Sequence, residues 1–339
     1  MKNQLIILLA FGLFFASCQE NNTAKLETEQ PISSAFKNEF DSISNLIKAS
    51  PNDPELYFER AKAHYGNKDI ASSLSDVGRS LKLDSNNAEY YMLYADLKLL
   101  QKESRASRDA LLKAHEIDPD NVDVLIRLGE LYMVVQDAEA SFKYLNQALK
   151  LDVYNANAYR LKGFNYKFLR DTTNTVSSFQ TAIEQDPNDY GSYMQLGLLY
   201  SSIEHDIALD YYNNALKVRP TSYEALYAKG LHLQVTGKPR DAIYTYRKII
   251  DLNEAYFDAW YNIGYIYLEL LNKYDSAAYS FDKAIEFGPK SYVSAIYNKG
   301  LSFERAGELT KAKEEYEKAL TMDPQYDLAA LGISRVLGE

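Results

Sequence analysis

Residues 257–290 read FDAWYNIGYIYLELLNKYDSAAYSFDKAIEFGPK, with small residues at Gly264, Ala277 and Ala284, a bulky Phe281 between the last two, and a stop at Pro289. The same cadence recurs on both sides. The leading small position is filled by Ala61, Ala95, Gly129, Gly163, Gly197, Gly230, Gly264 and Gly300, at steps of 34, 34, 34, 34, 33, 34 and 36 residues. A second small row runs Ser73, Ser107, Ser141, Thr175, Ala208, Ala242, Ala277, Ala312, and a third runs Ser80, Ala114, Ala148, Ala182, Ala215, Ile249, Ala284, Ala319. Between them stands a bulky row: Val77, Leu111, Leu145, Phe179, Tyr212, Tyr246, Phe281, Tyr316. Units close at Pro119, Pro187, Pro220, Pro289 and Pro324, because proline lacks the amide donor and its ring clashes with the preceding turn. An internal period of this length marks stacked helical units, so each unit is predicted as helix, turn, helix, stop and the chain as all-α.

The residue types follow from packing. Two antiparallel helices approach closely only where one offers a small residue to the other's large side chain, so Gly163 and Gly264 are expected to admit Phe179 and Phe281. No single unit buries its apolar face, and stability must come from stacked neighbours, which makes the repeat a single body. Most of the 29 tyrosines are read as packing on this basis.

Trp260, Ile263, Gly264, Tyr267, Ala277, Phe281, Ala284 and Pro289 fall where the signature residues of the tetratricopeptide repeat family fall, and the chain resembles that family over roughly residues 54–326. The resemblance implies a right-handed α-solenoid of about eight repeats, at 54–87, 88–121, 122–155, 156–189, 190–222, 223–256, 257–291 and 292–326. Capping segments are expected at 35–53, where Phe36, Phe40, Ile43 and Ile47 form one stripe, and at 327–339, where Leu328, Leu331, Val336 and Leu337 are apolar. Two departures stand out: one residue is missing between Tyr200 and Ala208, and one is extra between Tyr267 and Ala277. Both are expected near the interhelical turn, where length varies most readily.

At the amino terminus Lys2 precedes an apolar run from Leu5 to Phe15, followed by Ala16, Ser17 and Cys18, the only cysteine. The run is too short for a comfortable transmembrane helix and suits a secretory signal. Phe15-Ala16-Ser17-Cys18 resembles a bacterial lipobox. That resemblance implies removal of residues 1–17, acylation of Cys18, and a membrane tether through the polar stretch to residue 34, with burial worth about 0.8 kcal/mol per methylene. The expected location is the bacterial cell envelope, at the periplasmic face of the outer membrane or the cell surface.

A net charge of −10 with no basic run argues against nucleic acid. Catalytic patterns are missing as well. His64, His115, His205 and His232 fall in separate repeats with no metal-ligand spacing, Gly237-Lys238 is followed by Pro239 where a phosphate loop needs Ser or Thr, and Glu314 and Glu315 read as a solvated helix face. No enzyme, metal, cofactor or small-molecule substrate is expected.

In the resembling family the concave wall is built from first helices. Positions three before, one after and four after the leading small residue share one helical face. The middle line reads Lys62, Asp96, Glu130, then Phe164, Leu198, Leu231, Tyr265, Leu301: charged at first, apolar from Phe164 onward. Flanking it are Arg160, Lys167, Met194, Tyr227, Tyr261 and Tyr297. A solvated groove has no folding reason to display so much aromatic surface, so these residues are the candidate site for an apolar or amphipathic protein segment. The Lys and Asn pattern of the family's carboxylate clamp is absent, since the matching places hold Met92 with Asp96 or Tyr261 with Tyr265. The function expected is a membrane-anchored scaffold or adaptor for a protein partner. A carrier of apolar client segments is the alternative, and an unrecognised enzyme the remote one.

Overall fold

The computed structural model describes residues 34–338; the expected signal segment, Cys18 and the tether as far as residue 33 lie outside the described residues. No strand occurs among them. They divide into two compact units, one ending at Ser85 and the other beginning at Asn86, close to the first boundary between repeats.

In the first unit α1 (Ser34–Ala49) rests on α2 (Pro54–Gly66), which pairs with α3 (Ile70–Leu83). Phe40 of α1 meets His64 edge-on at 4.8 Å, and Ile47 is buried. Arg60 of α2 grips Asp76 of α3 through two hydrogen bonds of 2.6 and 2.7 Å.

The second unit is a run of helical hairpins: α4 (Ala88–Leu100) with α5 (Ser104–Ile117), α6 (Val122–Val134) with α7 (Ala138–Leu151), α8 (Ala156–Phe168) with α9 (Thr172–Gln185), and α10 (Tyr190–Ser201) with α11 (Ile207–Val218). It continues with α12 (Tyr223–Val235) and α13 (Pro239–Leu252), α14 (Phe257–Tyr265) and α15 (Tyr274–Phe287), α16 (Val293–Arg305) and α17 (Leu309–Met322), and closes on α18 (Asp327–Leu337). Each helix packs on the next, giving the paired-helix stacking of an α-solenoid.

The small and bulky rows meet as the packing argument requires. A Cβ added to Gly163 would lie 2.7 Å from the Phe179 ring, to Gly230 2.6 Å from Tyr246, and to Gly264 2.9 Å from Phe281. Those three rings are fully buried. At two serines of the second small row the hydroxyl closes the hairpin: Ser73 Oγ donates to the Ala61 carbonyl at 2.7 Å and Ser141 Oγ to the Gly129 carbonyl at 2.6 Å.

Every interhelical turn places one residue in the left-handed region: Lys68, Lys102, Gln136, Arg170, Glu204 and Asn272, with Gly237 and Gly307 in the other two hairpins. Side chains other than glycine cost about 1–2 kcal/mol there, so the turn is imposed by the packed helices on either side.

The extra residue after Gly264 enters the helix and not the turn. α14 runs on into a π-helical turn, Ile266–Leu270, which takes up one residue without moving Gly264 off Phe281. A second insertion follows α15: Pro289 stands three residues before the helix-capping position at Tyr292, whereas Pro187, Pro220 and Pro324 stand two before theirs. The missing residue is taken from the start of α11, where Asp206 makes no side-chain cap and His205 Nδ1 accepts from the Ile207 amide at 3.2 Å.

Candidate partner-binding face

The face is set by how each first helix begins. Asp53, Asn87, Asn121, Asn155, Asp189 and Ser222 cap their helices, each side-chain oxygen accepting an amide of the first turn. At α14, α16 and α18 the same position holds Tyr256, Tyr292 and Tyr326, and no side-chain cap forms. Losing such a cap costs about 1 kcal/mol. The rings are used for packing instead. Tyr256 stacks on Tyr223 at 5.5 Å and lies 6.4 Å from Tyr227. Tyr292 stacks on Tyr261 at 5.3 Å and meets Phe257 edge-on at 5.6 Å, and Tyr326 meets Tyr297 at 5.7 Å.

Tyr227, Tyr261 and Tyr297, expected from their spacing, are thereby each backed by one of three further tyrosines, and the six rings make up a tyrosine wall. Their own signal lay in the sequence, since positions 256, 292 and 326 keep the period of the capping row. Asn262 Nδ2 donates to the Tyr227 hydroxyl at 3.0 Å and Asn298 Nδ2 to the Tyr261 hydroxyl at 2.9 Å, so these two wall tyrosines are tied to the next repeat. Burial raises the pKa of Tyr227, Tyr261 and Tyr292, keeping these phenols neutral.

Within the apolar part of the middle line, Leu198 and Leu231 are the open members, 41% and 43% exposed. Phe164 is half-buried, with its edge against Phe179 at 5.2 Å. Tyr265 and Leu301 are half-buried in the cluster around Leu268 and Phe281. Lys167 is exposed and donates to Gln195 Oε1 at 2.6 Å. Arg160 donates to Asn157 Oδ1 at 2.7 Å and lies 3.5 Å from Asp189 Oδ1.

Met194 does not belong to the face. It is 2% exposed and packs with Tyr190, Tyr212 and Ala225, its unbranched thioether folding down into the gap between repeats. A helical wheel places it correctly around the axis but says nothing of how deep the neighbouring helix sits.

On the opposite side of α14, Trp260, Ile263 and Tyr267 line a cavity of about 290 Å³ together with Arg247, Asp275 and Tyr279. Trp260 Nε1 donates to the Glu254 carbonyl at 2.9 Å. Among the described residues no group of His, Cys, Asp and Glu is arranged to hold a metal ion, and no helix is long and apolar enough to cross a membrane.

The tetratricopeptide repeat family matches residues 198–255, 227–292 and 293–326, so this stretch carries tetratricopeptide repeats. The fold is shared with the C-terminal part of a TPR repeat-containing protein from Cytophaga hutchinsonii, 15% identical, with a TM-score of 0.62 over 71% of this chain and 98% of that one. In sequence the chain is similar to anaphase-promoting complex subunit 3 of Schizosaccharomyces pombe, 30% identical over 134 residues, which is 40% of this chain and 20% of that protein. It is also similar to human protein O-mannosyl-transferase TMTC3, 27% identical over 121 residues, or 36% of this chain and 13% of the transferase. The chain therefore spans a fifth or less of either of these relatives.

Proposed function

We propose that this protein is a non-enzymatic scaffold whose first-helix face, from Phe164 to Leu301, holds an apolar or amphipathic segment of a protein partner. The observation that carries the reading is the exposure of Leu198 and Leu231 on successive first helices, with the tyrosine wall beginning beside Leu231. Covering two such side chains and the rims of the neighbouring rings is worth about 25 cal/mol per Å² of apolar surface removed from water. The similarity to a stretch of an anaphase-promoting complex subunit is in keeping with an assembly role. On the lipobox-like stretch ending at Cys18, the scaffold is lipid-anchored in the bacterial envelope.

A photocrosslinking residue at position 231 tests the face. One dominant protein adduct that disappears when Leu198→Asp is added, with helical content and melting unchanged, is the expected result; adducts indifferent to Leu198 would sink the groove. Leu198 and Leu231 are better reporters than Phe164 and Tyr265, whose half-buried rings also support the fold. The anchor is tested separately by fractionation: Cys18→Ala should move the protein from the membrane to the soluble fraction.

A further inference from the structure

The tyrosine wall surrounds one carboxylate that the fold leaves alone. Asp258 lies in the first turn of α14, three residues before Tyr261, four before Asn262 and seven before Tyr265, which puts all four on one helix face. It is half-buried, and no hydrogen bond or ion pair reaches it from any described residue. Other polar groups at this level of the face are satisfied. Glu224 of α12 accepts from the Tyr190 hydroxyl at 3.0 Å, and Asp189 accepts from the Gly191 amide at 3.1 Å and the Ser192 hydroxyl at 2.6 Å.

Its neighbours are rings. Tyr227 of α12 and Tyr292, ahead of α16, feel the Asp258 charge, and Tyr292 is stacked on Tyr261 at 5.3 Å. Burial pushes the Asp258 carboxyl above the usual range, and among the described residues no basic side chain acts against that shift. An unpaired, partly desolvated carboxylate weakens a fold, so its presence within a wall otherwise tied by Asn262 and Asn298 calls for something other than folding. Carboxylate and ring faces attract the same kind of group, a cation with apolar surroundings.

We propose that Asp258, together with the rings of Tyr227, Tyr261 and Tyr292, forms a receptor for one cationic side chain, the ammonium of Lys or the guanidinium of Arg, carried by the partner segment. This rests on the scaffold reading: the apolar part of the segment covers Leu231 and its neighbours, and the cation enters at Asp258. A net charge of −10 draws a basic segment toward the chain. The site gives the face register, since an apolar segment alone could slide along it.

The test uses the full-length protein and acetylated, amidated peptides of Leu, Phe and Ser that are identical except for one central Lys, Arg, norleucine or Glu, with binding read by fluorescence anisotropy. The Lys and Arg peptides should bind about tenfold more tightly than the norleucine peptide, and the Glu peptide more weakly. Asp258→Asn should bring Lys and Arg down to the norleucine affinity while leaving norleucine binding unchanged; Tyr292→Phe, which keeps the ring, should retain the preference. Equal binding of Lys and norleucine by the unaltered protein, or a Lys preference that survives Asp258→Asn, overturns the cation site while the apolar face stands. Failure of every peptide, norleucine included, overturns the face and the cation site together.

Discussion

The repeats over 88–222 and those over 223–338 share the hairpin, the left-handed turn and the small-against-bulky contact, yet they join neighbours differently. In the earlier stretch the ties are polar and the caps are Asn or Asp: Arg127 pairs with Asp96 across successive first helices, Asn165 Nδ2 donates to Ser141 Oγ at 2.7 Å, and Asn121, Asn155 and Asp189 cap their helices. In the later stretch polar ties persist, with Arg305 paired to Glu269 at 2.9 Å and Arg335 to Glu304 at 2.8 Å, but the caps become tyrosines, which add ring stacks and the bonds from Asn262 to Tyr227 and Asn298 to Tyr261. The backbone of a repeat tolerates either solution. The surfaces differ, because a capping Asn is consumed by its own helix whereas a capping-position Tyr extends along the face.

The shared contact should give the largest effect in both stretches. Gly264→Leu forces a side chain into the Phe281 ring, and overpacking of this kind costs about 1–3 kcal/mol; Gly129→Leu against Leu145 should fall in the same range, measured by urea unfolding. Unequal losses, with one site unaffected, would mean that the two stretches differ in their cores as well as in their ties.

The exchange of cap for ring gives the next effect. Tyr292→Ala loses the stack on Tyr261, about 0.5–1.5 kcal/mol beyond its buried area, and restores no cap. Tyr292→Asn loses the same stack but can accept from the first turn of α16, recovering about 1 kcal/mol. Equal stability of the two variants would show that the position cannot revert to capping.

Acid separates two sites in opposite directions. His232 is fully buried, with Nδ1 3.0 Å from Ser201 Oγ and Nε2 unpartnered, and burial lowers its pKa from 6.5. The unfolded chain therefore takes up that proton first, so the His232 contribution is intact above about pH 6.5 and is lost as pH falls below it. Asp258 has the reverse sign: its raised pKa favours the protonated folded state, and stability from this group is lost as pH rises through that value. Melting curves between about pH 7.5 and 4, roughly the span over which both groups titrate, should show His232→Gln removing the first decline and Asp258→Asn raising the neutral-pH melting point. A lower melting point for Asp258→Asn at neutral pH would mean that the carboxylate has a structural partner after all.

The smallest effect is expected in a turn. Lys102 sits at φ 63° between α4 and α5, and Lys102→Gly relieves about 1–2 kcal/mol of left-handed strain against about 0.5–1 kcal/mol of added chain entropy. A net gain of roughly half to one kcal/mol is expected, whereas the same change at Asn272 should gain less because Asn tolerates this region.

Spacing alone placed the hairpins, because small and bulky residues recurring near every 34 positions leave a chain few ways to bury its surface other than stacked helix pairs. It also placed Tyr227, Tyr261 and Tyr297 on one face, since angular position around a helix depends only on residue number. Depth was decided elsewhere. Met194 has the same angular position as Tyr227 and Tyr261 and is buried, while Leu198 and Leu231 stand open, because exposure depends on the neighbouring helix. The π-helical turn at Ile266–Leu270 and the isolation of Asp258 are of the same kind: each depends on what the rest of the chain brings, or fails to bring, within a few ångströms, and a period written along one dimension carries no record of that distance.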